Sequence, residues 1–215
     1  MHIVIFAGGT LQMGTAVEAT IKQADMYIAA DSGAATALRC GCTPAAVVGD
    51  MDSLASQVAQ ELSAQGCQLV QAPVEKDETD TELAVQFAIT QGASKITLLG
   101  GLGGARFDHM VANVLLLAGY QSVPLYIVDG PAVGWLLRGP GRSVIHGHAG
   151  DLLSVLPLSS EASGIRTAGL YYPLHGETLR LGIPRGLSNV LTQEQAEVSL
   201  ESGLLLIIHT STQEM

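Results

Sequence analysis

Positive charge is scarce in this chain. Its 215 residues include 10 Lys and Arg against 20 Asp and Glu, which gives a formal net charge of −10 at pH 7. Such a chain repels the phosphate backbone of DNA and RNA, so general nucleic-acid binding is excluded as a function. The same acidity would oppose binding of an anionic ligand, and a divalent cation between that ligand and clustered carboxylates of the chain would resolve this.

Aromatic residues and cysteines are also few. Aromatic residues make up 4% of the chain and hydrophobic residues 47%, which predicts a sizeable core built from aliphatic side chains. The three cysteines are an odd number, which argues against a disulfide framework. Cys40 and Cys42 form a Cys-x-Cys pair with no second ligand pair nearby, so we predict free thiols and no zinc site.

Long apolar runs are missing. No stretch approaches the roughly 20 apolar residues that cross a bilayer as a helix. The first residues, 1–7, are apolar but lead directly into Gly8-Gly9, without a basic start or a cleavage pattern. They therefore predict a first strand and not a signal peptide. We expect a cytoplasmic protein with no membrane partner.

Short apolar runs alternate with helical stretches in the first part of the chain. The predicted strands are 2–7, 26–30, 45–48, 67–71, 96–99 and 123–128. The predicted helices include 53–64, 79–89 and 107–118, and Thr79 with Glu82 forms a capping box at the start of the second. This alternation predicts an α/β fold with a mainly parallel sheet and helices on both faces.

The pattern changes after about Asp129. Glycine and proline interrupt short runs there, and no convincing helix follows. Residues 196–200 alternate apolar and polar, Glu201-Ser202-Gly203 follows, and 204–208 is apolar, which predicts a closing hairpin. We therefore predict an α/β domain over 1–129 and a small all-β domain, an antiparallel sandwich or barrel, over 130–215.

Polar and glycine-rich segments follow five of the predicted strands. They are Gly8-Gly9-Thr10, Asp31-Ser32-Gly33, Gly49-Asp50-Met51-Asp52-Ser53, Lys76-Asp77-Glu78-Thr79-Asp80 and Gly103-Gly104-Ala105-Arg106-Phe107-Asp108-His109. Any one of them could be ordinary loop chemistry. Because ligands of parallel α/β sheets bind beyond the carboxyl ends of the strands, their convergence on one edge predicts a functional site.

Carboxylates in these segments are the candidate metal ligands. Asp50 and Asp52 lie two residues apart, and in an extended segment they point the same way, which is unfavourable unless a cation lies between them. Capping of the next helix is the structural alternative. Asp77 and Asp80 are not explained by the capping box, although a solvated charged turn would also account for them. Asp108 could bind metal or accept a proton from an alcohol.

Other residues of these segments could contact a ligand or hold the loops in place. Gly8-Gly9 could present backbone N–H groups to phosphate or could be a plain turn. Asp31 could act in the site or cap the next helix. Lys76 offers a point charge and Arg106 a bidentate fork.

Two further residues, His109 and Trp135, have both a functional and a structural interpretation, and Asn113 lies near the first of them. His109 could donate to phosphate, orient Asp108 or be structural. Asn113 lies one helical turn beyond it and shares its face. Trp135 could stack on a ring, although ordinary packing also accounts for it.

Taken in order, these segments resemble the thiamin pyrophosphokinase family. The matching strings are Ala30-Asp31-Ser32-Gly33-Ala34, Gly49-Asp50-Met51-Asp52-Ser53, Lys76-Asp77-Glu78-Thr79-Asp80, 103–109 with Asn113, Arg185-Gly186-Leu187-Ser188-Asn189, and 198–206. There are departures. The family often has a second glycine where Ser32 stands and an aromatic residue where Met51 stands, and Ala105 separates the glycine pair from Arg106.

The resemblance implies an enzyme that transfers the pyrophosphoryl group of ATP to the hydroxyl of thiamine, giving thiamine diphosphate and AMP. It implies Mg²⁺ as the cofactor, an N-terminal α/β domain that binds ATP and a C-terminal β domain that helps to hold thiamine. It also implies a homodimer with active sites in the cleft between domains, near the neighbouring subunit. The alternatives are another pyrophosphokinase, for example one acting on a hydroxymethylpterin, a non-catalytic metal–nucleotide sensor, or a metal-dependent phosphatase.

The resemblance also assigns roles to residues. The metal ligands are expected among Asp50, Asp52, Asp77, Asp80 and Asp108. The catalytic residues are expected to be Asp50, Asp77, Asp80, Arg106 and Asp108, with the proton acceptor left open between Asp77 and Asp108. Contacts with ATP are expected from Gly8, Gly9, Asp31, Ser32, Gly33, Lys76, Thr79, Gly103, Gly104 and His109. Contacts with thiamine are expected from Asp80, Asn113, Ser188 and Asn189.

Overall fold

The computed structural model describes residues 1–52, 54 and 56–213. Ser53, which the sequence places in the acidic segment after the third strand, lies outside the described residues. The chain divides into two compact units, Met1–Gly130 and Pro131–Met215. Among the described residues, no helix combines the length and the apolar character needed to cross a membrane.

The first unit alternates strands and helices. Its strands are β1 (His2–Phe6), β2 (Met26–Ala30), β3 (Ala46–Gly49), β4 (Gln68–Gln71), β5 (Lys95–Leu99) and β6 (Leu125–Asp129). Its helices are α1 (Thr15–Lys22), α2 (Gly33–Arg39), α3 (Ser56–Ala64), α4 (Asp80–Thr90) and α5 (Phe107–Gly119). The predicted fold class is confirmed, and the element bounds differ from the predicted ones by a few residues.

The sheet of this unit is parallel and has the order β6-β5-β1-β2-β3-β4. The strand order reverses between β1 and β5, because the chain builds outward from β1 in one direction and then returns to its other side. A reversal of this kind opens a crevice at the carboxyl ends of the two strands. The loops after β1 and β5 therefore meet at the position where α/β sheets bind ligands.

Burial of apolar side chains stabilises this sheet. Residues Ile3, Val4, Ile5 and Phe6 of β1 are fully buried, as expected for a central strand covered on both faces. Helix α4 begins where the sequence predicts, because the hydroxyl oxygen of Thr79 accepts a hydrogen bond from the backbone N–H of Glu82 at 3.1 Å.

The second unit is all β. Its strands are β7 (Ala132–Arg138), β8 (Gly141–His146), β9 (Leu152–Pro157), β10 (Glu161–Ala168), β11 (His175–Arg180), β12 (Asn189–Val190), β13 (Gln195–Leu200) and β14 (Leu204–Thr210). In its described part the antiparallel strands pair in the orders β12-β9-β14-β7 and β11-β10-β13-β8. Aliphatic side chains from both orders share one core, so this unit is a sandwich. Trp135 packs partly buried against that core, and its Nε1 donates to Ser143 Oγ at 3.2 Å.

The predicted closing hairpin is wrong. Strand β13 pairs with β8 and β10, whereas β14 pairs with β7 and β9, so the segment 201–203 connects the two sheets and does not form a hairpin turn. The alternation that suggested a hairpin has another cause. Val198 and Leu200 of β13 and Leu205 and Ile207 of β14 enter the shared core from opposite sheets. Sequence periodicity gives the buried face of a strand but not its pairing partner.

Asp151 is a buried carboxylate that ties together the loop before β9 and the end of β14. It accepts hydrogen bonds from the backbone N–H groups of His148 at 2.9 Å and Thr212 at 3.0 Å, and its Oδ2 lies 3.0 Å from His209 Nε2. Burial alone would raise the pKa of Asp151, but these donors together lower it. The side chain is 1% exposed, so the ionised form depends on them.

Replacing Asp151 by alanine should lower the free energy of unfolding by about 3 kcal/mol, because the substitution leaves buried donors without an acceptor. Urea denaturation measures the loss, and Glu194→Ala, at an exposed carboxylate, is the matched control. The contribution of Asp151 is present above the ordinary carboxyl pKa and disappears as pH falls through its lowered folded-state pKa. The gap between wild type and variant should therefore narrow in acid, and a gap independent of pH would contradict this account.

Candidate active site

A pocket of about 670 Å³ opens at the carboxyl ends of the strands in the first unit. Its volume lies within the range that holds small ligands. The loops after β1, β2, β3, β4 and β5 all contribute to it, which the order of the polar segments led us to expect. The predicted site residues that line it are Gly8, Gly9, Asp31, Ser32, Asp50, Asp52, Lys76, Thr79, Asp80, Gly103, Gly104, Arg106, His109 and Asn113.

Glycines allow the loops after β1 and β5 to touch. The backbone N–H of Gly9 donates to the carbonyl oxygen of Gly100 at 3.1 Å. A Cβ placed on Gly9 would overlap the carbonyl oxygens of Gly100 and Gly103, and one on Gly103 would overlap the carbonyl oxygen of Thr10. Because the overlapped atoms belong to backbone, no change of rotamer could relieve the clash. The glycine segments thus bring backbone close to backbone at the reversal point of the sheet.

Three carboxylates from two loops converge in the pocket that these glycines also line. One oxygen from each of Asp31, Asp50 and Asp52 lies within 4.8 Å of the others, a spacing that suits a shared metal ion. Asp31 is buried and Asp50 is half-buried. The sequence grouped Asp50 with Asp52 but placed Asp31 among the ATP contacts, and the structure brings Asp31 to the acidic pair.

The side chains of Asp50 and Asp52 lie close together for a different reason from the one expected. An extended segment would place Asp50 and Asp52 on one side, but Met51 has φ of +66°, so the segment turns there. The backbone N–H of Asp52 donates to Asp50 Oδ1 at 3.1 Å within this turn. That hydrogen bond lowers the pKa of Asp50 more than burial raises it, and Lys76 lowers it further. Asp50 therefore stays ionised at neutral pH.

Gly49 brings a fourth carboxylate close. It has φ of +154°, and a Cβ there would lie 3.0 Å from Asp31 Cβ and 3.1 Å from the carboxyl carbon of Asp80. A side chain at this position would therefore press on both aspartates. Asp80 is the first residue of α4, where a negative charge is favoured by the helix dipole.

Lys76 bridges Asp50 in the loop after β3 and Asp80 at the start of α4. Its Nζ lies 3.0 Å from Asp80 Oδ1 and 3.5 Å from Asp50 Oδ2, and it donates to the carbonyl oxygen of Pro73 at 3.2 Å. Burial alone would lower the pKa of Lys76, but Asp80 and Asp50 together raise it. The ammonium is thus fixed against the carboxylates of the pocket.

Two of the predicted metal ligands lie outside the lining of the pocket in the described part of the chain. They are Asp77 and Asp108. Asp108 forms a bidentate ion pair with Arg106, with distances of 3.0 Å and 2.7 Å, and the guanidinium lowers the pKa of Asp108 to about 2. Both side chains are exposed.

Two other predicted contact residues have packing roles. Asn113 is buried and its Nδ2 donates to the carbonyl oxygen of Gly101 at 2.9 Å, so it holds the loop after β5 in place. Gly33 starts α2, and a Cβ there would overlap the carbonyl oxygen of Phe6.

Ser188 and Asn189 belong to the second unit. Ser188 has φ of +52°, and its backbone N–H donates to Ser154 Oγ at 3.0 Å. The side-chain amide of Asn189 bonds to the backbone of Tyr172, accepting at 3.0 Å and donating at 2.7 Å. In this structure the Asn189 amide orders the loop that carries Tyr172.

Sequence reasoning missed several lining residues, among them Thr10, Val74 and Glu78. Thr10 and Glu78 stand inside two of the polar segments that the sequence singled out, but neither was assigned a role there. Val74 has no sequence signal, because an exposed apolar residue in a loop is common and carries no specific chemistry.

Comparison with known proteins identifies the family. The model of the thiamin pyrophosphokinase catalytic domain matches residues 17–127, and that of the thiamin pyrophosphokinase vitamin B1 binding domain matches residues 143–205. The thiamine pyrophosphokinase of Bacillus subtilis is 26% identical over 209 residues, which are 96% of this chain and 97% of that protein.

Solved structures agree. The crystal structure of thiamine pyrophosphokinase from Bacillus subtilis superposes with a TM-score of 0.86 at 27% identity, covering 99% of this chain and 100% of the other. That of thiamin pyrophosphokinase from Geobacillus thermodenitrificans has a TM-score of 0.83 at 29% identity and covers all of both chains. The family models match the chain in both units and in the same order as the motifs, and the chain therefore belongs to the thiamin pyrophosphokinase family.

Proposed function

We propose that this protein transfers the pyrophosphoryl group of ATP to the hydroxyl of thiamine, producing thiamine diphosphate and AMP. The observation that carries the proposal is the convergence of Asp31, Asp50 and Asp52 beside the glycine loops of one pocket, in a chain that matches both domains of the family. Acidic side chains and glycine-rich loops that line one pocket suit a metal–nucleotide complex.

Mg²⁺ fits the donor set of this pocket. Hard divalent cations prefer carboxylate oxygens, and Asp31, Asp50 and Asp52 offer one oxygen each within 4.8 Å. We propose that these three residues hold the ion, with Asp80 close by. Asp77 and Asp108 remain predicted ligands without support from the pocket lining. When bound, the ion would neutralise phosphate charge.

The residues of this pocket would bind and align ATP. The glycine segments after β1 and β5 would admit the phosphates close to backbone, and Lys76 and Arg106 would offset the charge that develops during transfer. The thiamine hydroxyl would then attack the β-phosphorus in line with the departing AMP. Reactions of this kind depend chiefly on alignment and charge neutralisation, which a preorganised pocket supplies.

A carboxylate would accept the hydroxyl proton as the new bond forms. Asp77 and Asp108 were the candidates from the sequence. A carboxylate with a pKa of about 2 is a weak base, so the ion pair with Arg106 counts against Asp108. Asp77 stays a candidate on the sequence alone, since it lies outside the pocket lining of the described chain, and Asp108 is better suited to orient Arg106.

We also propose that residues 1–129 form the ATP-binding domain and that residues 130–215, including Ser188, help to hold thiamine. A homodimer is supported by an apolar stripe on α5, where Phe107, Val111 and Leu115 recur every four residues and are 74%, 41% and 54% exposed. A stripe of this kind is typical of a helix that packs against a partner. The proposed location is the cytoplasm.

Incubation with ATP, Mg²⁺ and thiamine tests the function. We expect AMP and thiamine diphosphate in equal amounts by chromatography, loss of turnover in excess EDTA, and recovery when Mg²⁺ is restored. Thiamine is to be compared with a hydroxymethylpterin and with no acceptor. Product only with the pterin would indicate another pyrophosphokinase, acceptor-independent phosphate release a phosphatase, and nucleotide binding without any product a sensor. Each of these outcomes would overturn the proposal.

A further inference from the structure

We infer that in the free protein the Lys76 ammonium supplies the positive charge that a bound metal ion would otherwise supply to these carboxylates. Binding of the cation then displaces the ammonium from Asp50 and Asp80. Lys76 would thereby couple entry of the cation to entry of the nucleotide, because the released ammonium needs a new anionic partner. The inference rests on the metal–nucleotide part of the proposed function. It assigns to Lys76 a positioning role that precedes the reaction.

The geometry shows a cation already placed beside Asp50, one of the three proposed ligands, and beside Asp80. Lys76 Nζ lies 3.0 Å from Asp80 at the start of α4 and 3.5 Å from Asp50 in the loop after β3. The Lys76 side chain is only 12% exposed, as is that of Asp50. A lysine on a solvated turn would instead extend into water, where an ion pair contributes little. This ammonium is therefore a built part of the pocket.

Asp50 is the residue for which the two cations compete. It belongs to the group of three carboxylates that suits a metal, and it also faces Lys76. Its Oδ1 accepts from the backbone N–H of Asp52 and its Oδ2 faces the ammonium, so both oxygens are engaged in the free protein. A dication entering beside Asp31 and Asp52 would meet the positive charge of Lys76 at short range. Repulsion at that range, in a partly buried pocket, is several times stronger than in water.

The charge balance explains why the lysine is present at all. Asp31, Asp50, Asp52 and Asp80 crowd one region, and in the absence of a metal their mutual repulsion would oppose folding. Lys76 reduces that repulsion in the free state. With metal and ATP bound, the phosphates offer the ammonium a new partner, which agrees with the phosphate contact predicted for Lys76. The cation should therefore bind weakly alone and tightly together with the nucleotide.

Titration of the free protein with Mn²⁺ alone tests this inference without turnover. Mn²⁺ accepts the same oxygen ligands as Mg²⁺, and its unbound fraction is measured by electron paramagnetic resonance. Replacing Lys76→Gln, which removes the charge but keeps a hydrogen-bond donor, should tighten Mn²⁺ binding about tenfold. Lys76→Arg, which keeps the charge, should remain within about threefold of wild type. Lys76→Met gives a second neutral variant with the same expected direction.

The matched control is Lys22→Gln. This exposed lysine in the last turn of α1 carries the same charge and lies outside the pocket lining of the described chain, so its replacement should change Mn²⁺ affinity less than about twofold. A merely structural role for Lys76 predicts weaker Mn²⁺ binding in Lys76→Gln, the opposite sign. Unchanged or weaker Mn²⁺ binding in Lys76→Gln would overturn the inference, as would equal tightening in Lys22→Gln. Absence of Mn²⁺ binding in both wild type and Lys76→Gln would overturn it too.

The inference and the proposed function can fail separately. Tighter Mn²⁺ binding in Lys76→Gln, together with no thiamine diphosphate from wild type, would support displacement of the Lys76 ammonium by the cation and contradict the proposed reaction. Normal synthesis of thiamine diphosphate by wild type, together with unchanged Mn²⁺ affinity in Lys76→Gln, would support the proposed reaction and contradict displacement of the ammonium.

Discussion

Replacing Asp50 by asparagine should lower the turnover number about a hundredfold to a thousandfold, the range expected when one preorganised electrostatic contact is lost. Asp50 is a member of the carboxylate group that suits the metal, and it also anchors Lys76. Asparagine keeps the size of the side chain and can still accept a hydrogen bond from the backbone N–H of Asp52. The fold should therefore survive while the charge is lost. Initial rates at saturating ATP, Mg²⁺ and thiamine measure the effect.

The control for Asp50→Asn is Glu61→Gln, the same change of carboxylate to amide on the exposed face of α3. It should leave the turnover number within about twofold of wild type, since an exposed charge outside the pocket lining is screened by solvent and salt. Both variants should keep their far-ultraviolet circular dichroism. Near-normal turnover in Asp50→Asn would remove Asp50 from the proposed metal site.

Replacing Gly9 by alanine should lower turnover about a hundredfold, a loss typical of small displacements in an aligned site. The added Cβ would overlap the carbonyl oxygens of Gly100 and Gly103, so the loops after β1 and β5 must separate. The free energy of unfolding should also fall by about 1–3 kcal/mol, the usual range for overpacking. Steady-state kinetics over a range of ATP concentrations and urea denaturation measure the two effects.

Gly119→Ala is the matched control. Gly119 ends α5, and an added Cβ there would meet no atom within 4 Å. Alanine is also the better helix former, so stability should stay equal or rise slightly. Gly119→Ala should therefore keep its turnover, while Gly9→Ala loses it. Equal behaviour of the two variants would show that the close approach of the loops is not needed for activity.

The fold of the first unit was accessible from the sequence, because its signals are local. Apolar runs such as 26–30 and the capping box at Thr79 report on neighbouring residues, and the structure begins α4 at that cap. The pairing partners of β13 and β14 could not be predicted from the sequence. The segment 201–203 has the composition of a hairpin turn, and only the shared core of the second unit assigns its flanking strands to different sheets.

The candidate site, like the fold, could be predicted only in part from the sequence. The sequence predicted that the acidic and glycine-rich segments would meet at one edge, because the carboxyl ends of parallel strands must do so. It could not predict the directions of the side chains. Asp31 has φ of +43° and Met51 has φ of +66°, and these turns aim the carboxylates of Asp31, Asp50 and Asp52 at a common point. Asp108 instead faces its neighbour Arg106.

By itself, the sequence determined the alternating α/β order of the first unit, the all-β character of the second, and the identity of the loops that line the pocket. These follow from periodicity and from residue types, which act over short distances along the chain. The tertiary structure alone decided which carboxylates gather, that Lys76 lies between two of them, and which strands pair across the sandwich. Those outcomes depend on contacts between residues far apart in sequence, where burial and charge balance act together.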